Sequence, residues 1–271
     1  MKSTIKKVLI KLGAIERARL IYNSAKSASK DVIKEEIKYK KHNLPDGYPA
    51  PPKELIFLII GLGWKSVYYN SGRQIYTEME SLFSRNGIDF ASFERVLDFG
   101  CGCGRIIRHF NNNLKSVKLA GTDYNTSLIT WCRDNLTFGD FRTNKLAPPI
   151  DFEDNSFDLL YARSVFTHLT RELQGEWMKE FRRVIKTGGY LYITTHGLNT
   201  FTNLTGDEKK ELNNSGIITI NKNIEGDNKC STYQTKEFVL NNLANGFELV
   251  SFTPGQSRTA SPQDIYILKK I

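Results

Sequence analysis

Cysteine is scarce in this chain: there are four in 271 residues and no Cys-x-x-Cys pair. That excludes a disulfide framework and the usual zinc-knuckle spacing. Cys101 and Cys103 are too close together for an easy bridge and read as small residues of a crowded turn, so reduced thiols and no metal site are expected. Proline is also rare outside one place, since four of the eight lie in residues 45–52. Long apolar runs are missing. The longest, Leu55 to Trp64, has ten residues interrupted by Gly61 and Gly63, against the ~20 needed to cross a bilayer. No uninterrupted apolar stretch near the start ends in a small-residue cleavage site, so no secretory leader is read and a cytoplasmic location is expected.

A charge excess is absent from most of the chain. The net charge is +9, but residues 1–41 hold 12 Lys/Arg against four acidic residues, and the other 230 residues hold 26 basic and 25 acidic side chains. The body therefore offers no electrostatic groove for nucleic acid. The basic segment carries Ile5, Val8, Leu9, Leu12 and Ile15, then Leu20 to Tyr22, at near-helical spacing. This predicts a basic amphipathic helix that lies on an anionic membrane or packs on a partner protein.

With 40% hydrophobic and 25% charged residues, the chain is ordinary globular material. Residues 1–44 are read as the helical extension and 45–92 as a proline-rich strap with helices at Leu55 to Ile60 and Arg73 to Arg85. From residue 93 to 271, short apolar runs alternate with helical stretches: strands around Val96, Val117 to Gly121, Phe141, Phe157 to Ala162 and Tyr190 to Thr195, with Gly188-Gly189 turning the chain before the last. Such alternation predicts an α/β fold with a parallel sheet covered on both faces. Phe247 to Phe252 and Ile265 to Leu268 predict an antiparallel hairpin at the edge, and about 198–234 reads as a long polar insertion.

Chemistry concentrates at Val96-Leu97-Asp98-Phe99-Gly100-Cys101-Gly102-Cys103-Gly104-Arg105, a strand entering a glycine turn and then a helix. Glycines let a nucleotide-like ligand approach the backbone, and the following helix presents free N–H groups. Asp123 ends the next strand, where a carboxylate accepts the hydroxyls of a ribose. The spacing Gly-x-Gly-x-Gly, preceded by an acid, disfavours the dinucleotide fingerprint and resembles motif I of the class I S-adenosylmethionine-dependent methyltransferases. The resemblance extends to Asp154 to Tyr161, Ser164-Val165-Phe166-Thr167-His168-Leu169 and Phe181 to Leu191, covering about Glu94 to Gly197. It implies a Rossmann-like, seven-stranded, mostly parallel sheet of order 3-2-1-4-5-7-6 with strand 7 antiparallel, and S-adenosyl-L-methionine as cofactor.

Carried over, the resemblance implies that Asp98 lies by the methionine ammonium, that Gly100, Cys101 and Gly102 line the path, and that Asp123 takes the ribose. Tyr124 would lie against adenine, Asn144 at its edge, and Ser164 and Val165 would face the cofactor. Tyr69 and Arg73, beside Ser71-Gly72, would close over the methionine carboxylate.

For a hydroxyl acceptor a base must remove the proton, and a histidine suits neutral pH. His168 and His196 follow strands 4 and 5, where ligands bind in open sheets, and are the candidate catalytic residues. His42 and His109 lie away from any acceptor. Pro148-Pro149 precedes the fourth strand instead of following it, which disfavours base methylation. The set Cys-Gly-Cys-Gly-Arg, Ser-Val-Phe-Thr-His-Leu, Thr-His-Gly and Gln263-Asp264-Ile265-Tyr266 resembles bacterial methyltransferases of surface-polysaccharide assembly. That implies a sugar hydroxyl of a glycan or glycolipid as acceptor, worked on at the inner membrane face. A small-molecule acceptor and an inactive cofactor-binding partner protein are the alternatives.

Overall fold

The computed structural model describes residues 26, 30–40, 44–197, 200, 204–255 and 263–271. The apolar stripe from Ile5 to Tyr22 lies outside the described residues. Five strands, β1 (Arg95–Phe99), β2 (Lys118–Asp123), β3 (Gly139–Thr143), β4 (Phe157–Ala162) and β5 (Ile185–Thr195), run parallel to one another. A separate hairpin is formed by β6 (Ile217–Ile220) and β7 (Ser231–Gln234). The last two strands, β8 (Phe247–Thr253) and β9 (Asp264–Lys270), close one edge of the large sheet, whose order is β3-β2-β1-β4-β5-β9-β8. Counted within this sheet alone, the order is 3-2-1-4-5-7-6, and the seventh strand pairs antiparallel on both sides. That is the Rossmann-like methyltransferase arrangement the resemblance implies.

The central strands are buried on both faces, and period-2 alternation sends their side chains into two cores. Val96, Leu159 and Tyr161 join Tyr76, Met79 and Phe83 of α3 (Lys65–Arg85) and Ile107 and Phe110 of α4 (Ile107–Asn113). Leu97, Phe99, Leu160 and Leu191 join Trp177, Phe181 and Val184 of α6 (Arg171–Val184). The preceding helices are α1 (Lys30–Lys40) and α2 (Lys53–Ile60), and α5 (Thr126–Asn135) follows β2. Helix α1 packs on α3: Glu36 Oε2 accepts from Ser66 N at 3.0 Å, and the Tyr39 and Tyr69 rings meet edge-on at 6.3 Å. The proline-rich strap is fastened to α4 by a fully buried ion pair between Arg108 Nε and Asp46 Oδ2 at 2.5 Å.

Three expectations differ from the structure. Helix α3 starts at Lys65, eight residues before the expected Arg73, and runs through Gly72. A Cβ at Gly72 would fall 2.0 Å from the carbonyl oxygen of Arg105, so this glycine serves a close approach of helix to loop and not a helix break. Gly188-Gly189 lies inside β5, as a bulge between the pairs Phe157–Ile185 and Leu159–Tyr190, rather than in a turn before the strand. The polar insertion carries its own structure. Helix α7 (Gly206–Ser215) begins with a capping box of Thr205 and Glu208, and Leu204, Leu212, Ile218 and Tyr233 form a small core under the hairpin.

Candidate active site

The chain passes from β1 outward to β2 and β3, then returns to β4 on the other side of β1. The strand ends part there, and a crevice is expected at the carboxyl ends. A cavity of about 310 Å³ occupies that place. Its floor is Gly100, Gly102, Asp123 and Ser164, with Leu128, Leu146 and Trp177 as apolar wall; Leu58, Ile59 and the segment Gly226 to Asn228 stand opposite.

The glycine turn is held in a form that side chains resist. Gly100 has φ +76 and Gly102 φ +56; a Cβ at Gly100 would lie 2.5 Å from Val165 Cγ2, and one at Gly102 would lie 3.0 Å from Ile59 Cδ1. The amides of Gly100 and Cys101 both donate to Thr122 O, at 2.7 and 2.9 Å, which locks the turn to the end of β2. Asp123 closes the lock: Oδ2 accepts from Gly102 N at 3.0 Å and Oδ1 from Asn125 N at 2.8 Å. Burial raises its pKa above the ordinary value, and those two amides oppose the rise.

Of the other cofactor candidates, Tyr124, Asn144, Ser164 and Val165 line the cavity together with Gly100, Gly102 and Asp123. Tyr124 is about half exposed, and its hydroxyl donates to Gly226 O at 3.1 Å. Asn144 hydrogen-bonds Lys145 O through Nδ2, and its buried Oδ1 has no partner. Ser164 has φ +60, its amide donates to Thr194 Oγ1 at 2.8 Å and its hydroxyl to Gln263 Oε1 at 2.9 Å.

Four candidates do not line the cavity. Cys101 is buried inside the turn, against the position a side chain at Gly121 would take. Asp98 is buried within β1, Oδ2 without a partner; burial pushes its pKa up to about 7, with Asp123 adding to the rise and Arg105 opposing it. Tyr69 packs on His109, the rings 4.8 Å apart, and Arg73 sits in its neighbourhood and not at the cavity. His109 is held near a pKa of about 3 by burial and then by Arg108, which makes it a neutral packing group.

The two catalytic candidates are separated by the fold. His168 lines the cavity, and its Nδ1 lies 2.7 Å from Cys230 O. A carbonyl oxygen only accepts, so Nδ1 carries the proton and Nε2 is the basic nitrogen. Burial lowers its pKa, which keeps the ring neutral at pH 7. His196 is not among the lining residues: its ring lies 5.0 Å from that of Tyr233, its Nδ1 is buried without a partner, and burial followed by repulsion from His168 brings its pKa to about 4.

Sequence reasoning passed over Arg105, Arg163 and Trp177, although each lines the cavity. Both arginines adjoin motif residues, Gly104 and Ser164, and that adjacency was a readable signal. Nothing in the sequence of Gly226 to Asn228 announced a wall. Asn228 Nδ2 reaches across to Leu58 O at 2.9 Å, and Gly226 N donates to His168 O at 2.9 Å.

The residues present suit S-adenosylmethionine. A two-oxygen acceptor stands at the cavity edge, a glycine floor leaves no room for side chains, and a buried carboxylate with an unpaired oxygen adjoins the turn. A family profile described as a methyltransferase domain matches residues 97–193. A phthiotriol/phenolphthiotriol dimycocerosates methyltransferase of Mycobacterium ulcerans is 33% identical over 108 residues, 38% of this chain and 38% of that protein. A malonyl-[acyl-carrier protein] O-methyltransferase of a Paenibacillus species is 24% identical over 131 residues, 46% of this chain and 47% of that protein. The matches thus span less than half the length of these curated relatives. The structure of a SAM-dependent methyltransferase from Methanosarcina mazei superposes with a TM-score of 0.51 at 20% identity, covering 66% of this chain and 92% of that one. Residues 97–193 thus match a methyltransferase domain, and the sheet has the Rossmann-like fold of a solved SAM-dependent methyltransferase.

Proposed function

We propose that the protein transfers a methyl group from S-adenosylmethionine to a hydroxyl of a sugar in a glycan or glycolipid, with His168 as general base. The observation that carries this is the placement of His168 on the same cavity as Asp123 and the glycine turn, its Nδ1 proton committed to Cys230 O. When bound, the donor supplies an electrophilic sulfonium methyl group. The chain's own residues do the rest. Asp123 accepts from the ribose, the turn glycines admit the donor's tail, and His168 Nε2 takes the acceptor's proton. The relative from Paenibacillus is named as an O-methyltransferase, which supports an oxygen acceptor. The sugar itself rests on the motif resemblance to polysaccharide-associated enzymes.

The test is methyl uptake from labelled S-adenosylmethionine by a panel of nucleotide sugars, glycans and glycolipids. His168→Ala is expected to lower turnover about 10²–10⁴-fold at nearly constant donor affinity, and the wild-type rate should rise with pH with a midpoint below the usual histidine value. If His196→Ala abolishes turnover while His168→Ala does not, the base is misassigned.

The basic segment extends the reading to location, as contact with an anionic membrane at the inner face. Helix α1 packs on α3, so a truncated chain should keep it and begin at Lys30; residues 1–29 still remove seven basic and one acidic side chain. The full chain is expected to co-sediment with anionic vesicles at low salt and the truncated chain to remain in solution, since each Lys or Arg near such a surface contributes about 1 kcal/mol. Equal sedimentation would leave the segment to a partner protein.

A further inference from the structure

The cavity carries a carboxylate that neither the glycine turn nor proton removal uses. Among the described residues that line it only Asp123 and Asp227 are acidic, and Asp123 is engaged by the amides of Gly102 and Asn125. Asp227 stands opposite, on the loop that clasps His168. Gly226 N donates to His168 O, and Cys230 N to Asp227 O, both at 2.9 Å. Cys230 O faces His168 Nδ1 at 2.7 Å, and Glu225 Oε1 accepts from Thr170 N at 2.5 Å. The loop thus grips the main chain of His168 just before Asp227 and its ring just after, which keeps that carboxylate beside the base. Its charge reaches both neighbours. Burial lowers the pKa of His168, and the Cys230 carbonyl and then Asp227 oppose the fall; burial, then Asp123 and Asp227, raise that of Tyr124. Of the other titratable groups about the ring, His196 is neutral with a pKa of about 4, burial raises the Cys230 thiol, and Arg105 and Arg163 line the same cavity. Asp227 also opens a turn, its Oδ1 accepting from Lys229 N at 2.8 Å. Asn or Ser would make that bond as well, so the turn does not account for a charge at this place. Lys229 N takes one of the several acceptor positions a carboxylate offers.

We propose that Asp227 is a specificity-determining residue for the acceptor: its carboxylate accepts a hydrogen bond from a second hydroxyl of the molecule whose first hydroxyl gives its proton to His168 Nε2. The acceptor is therefore a diol, with two hydroxyls close together as on adjacent carbons of a sugar ring. The inference rests on reading the cavity as a methyl-transfer site with His168 as base, and it narrows the substrate from one hydroxyl to a pair. The second hydroxyl donates and keeps its proton, so Asp227 selects and orients the acceptor without entering the transfer. A hydrogen bond to a charged acceptor is among the strong ones, and a site built to receive a hydroxyl discriminates sharply against the analogue that lacks it.

The test uses methyl hexopyranosides and their monodeoxy analogues as probes, on the full chain and on Asp227→Ser, which keeps an acceptor for Lys229 N and loses the charge. Methyl uptake is measured at saturating S-adenosylmethionine, donor affinity by calorimetry with S-adenosylhomocysteine, and the titration of the His168 ring by NMR on the free protein. The wild type is expected to use a probe lacking the hydroxyl beside the methylated one at least ~10-fold less well in kcat/KM. Asp227→Ser should lose at least ~10-fold on the complete sugar, mainly through KM, and should treat the deoxy analogue alike, with donor affinity unchanged. Its His168 should titrate at a lower pH than in the wild type, because a neighbouring negative charge has gone. A wild type that does not discriminate between the two sugars, a variant that still does, or an unchanged His168 titration overturns the proposal. So does a donor-binding wild type that methylates none of the diol probes. Should Asp227→Ser fail to fold, Asp227→Asn faces the same comparison, with smaller shifts in the same directions expected. A wild type that binds no S-adenosylhomocysteine would sink the methyl-transfer reading instead. NMR titration of the same sugars onto the free protein then decides the subsite, which stands only if loss of one hydroxyl weakens binding in the wild type and not in the variant.

Discussion

Asp123 fastens the glycine turn and is proposed to hold the donor's ribose, and substitutions can separate the two roles. Its carboxylate receives the amides of Gly102 and Asn125 at 3.0 and 2.8 Å, and its remaining lone pairs are left for a ligand in the cavity it lines. In Asp123→Ala both amides lose their acceptor, at about 1–3 kcal/mol for a donor left unsatisfied. Asn125 is only partly buried and lines the cavity, where water can replace the lost acceptor, so the loss in stability should sit near the low end, about 2–3 kcal/mol for the pair. The lost charge-assisted bonds to a ribose should weaken donor binding by a further ~1.5–3 kcal/mol, roughly ten- to 150-fold. Asp123→Asn distinguishes the roles. Its one carbonyl oxygen still serves one amide, so it should recover about half the stability while binding the donor nearly as weakly as the alanine variant. Urea denaturation reads the first quantity and calorimetry with S-adenosylhomocysteine the second. A folded Asp123→Ala that binds S-adenosylhomocysteine as tightly as the wild type would refute the ribose assignment.

Asp98 makes the free protein's stability depend on pH. Its native pKa is raised to about 7, so between the ordinary carboxylate range and that value the native state holds a proton the unfolded chain has released. Stability therefore falls as pH rises through this window, by up to about 1.4 kcal/mol per unit, and the contribution is flat above and below it. Asp98→Asn should remove this component, seen as a difference between the two urea-denaturation profiles from pH 5 to 8; identical profiles would show that the carboxyl is not perturbed. In the glycine turn, Gly100→Ala should cost about 1–2 kcal/mol for its left-handed backbone and more for the contact with Val165 Cγ2 at 2.5 Å. Adding Val165→Ala removes that contact, so the pair should be less destabilised than the sum by at least ~1 kcal/mol in a double-mutant cycle. Strict additivity would mean that the two side chains do not meet.

The strands were legible because their apolar runs sit in a parallel sheet, where both faces are buried and no alternation masks them; Phe157 to Ala162 reads directly as β4. The floor of the cavity was legible for a related reason. A turn at positive φ needs glycine, and a strand-end carboxylate is conspicuous after apolar residues. Tyr69 and Arg73 lie off the cavity on a helix set by a contact the local sequence does not show, the approach of Gly72 to the carbonyl of Arg105, 33 positions away. His168 and His196 are alike in sequence, each just past a strand. Only the path of residues 204–234, which sets Cys230 beside one ring and Tyr233 beside the other, tells them apart.

The two sides of the cavity have different origins along the chain. The floor of Gly100, Gly102, Asp123 and Ser164 falls within residues 97–193, the stretch matched by the methyltransferase profile, whereas Leu58, Ile59 and Gly226 to Asn228 fall outside it. The outer pieces are joined to each other by the Asn228 bond to Leu58 O, and to the matched stretch by the bonds of Gly226 N to His168 O and of Tyr124 Oη to Gly226 O. Such a division would let the roof be changed while the floor stays, separating acceptor preference from donor binding. A chimaera carrying another methyltransferase's roof on this floor would test whether acceptor preference travels with the roof.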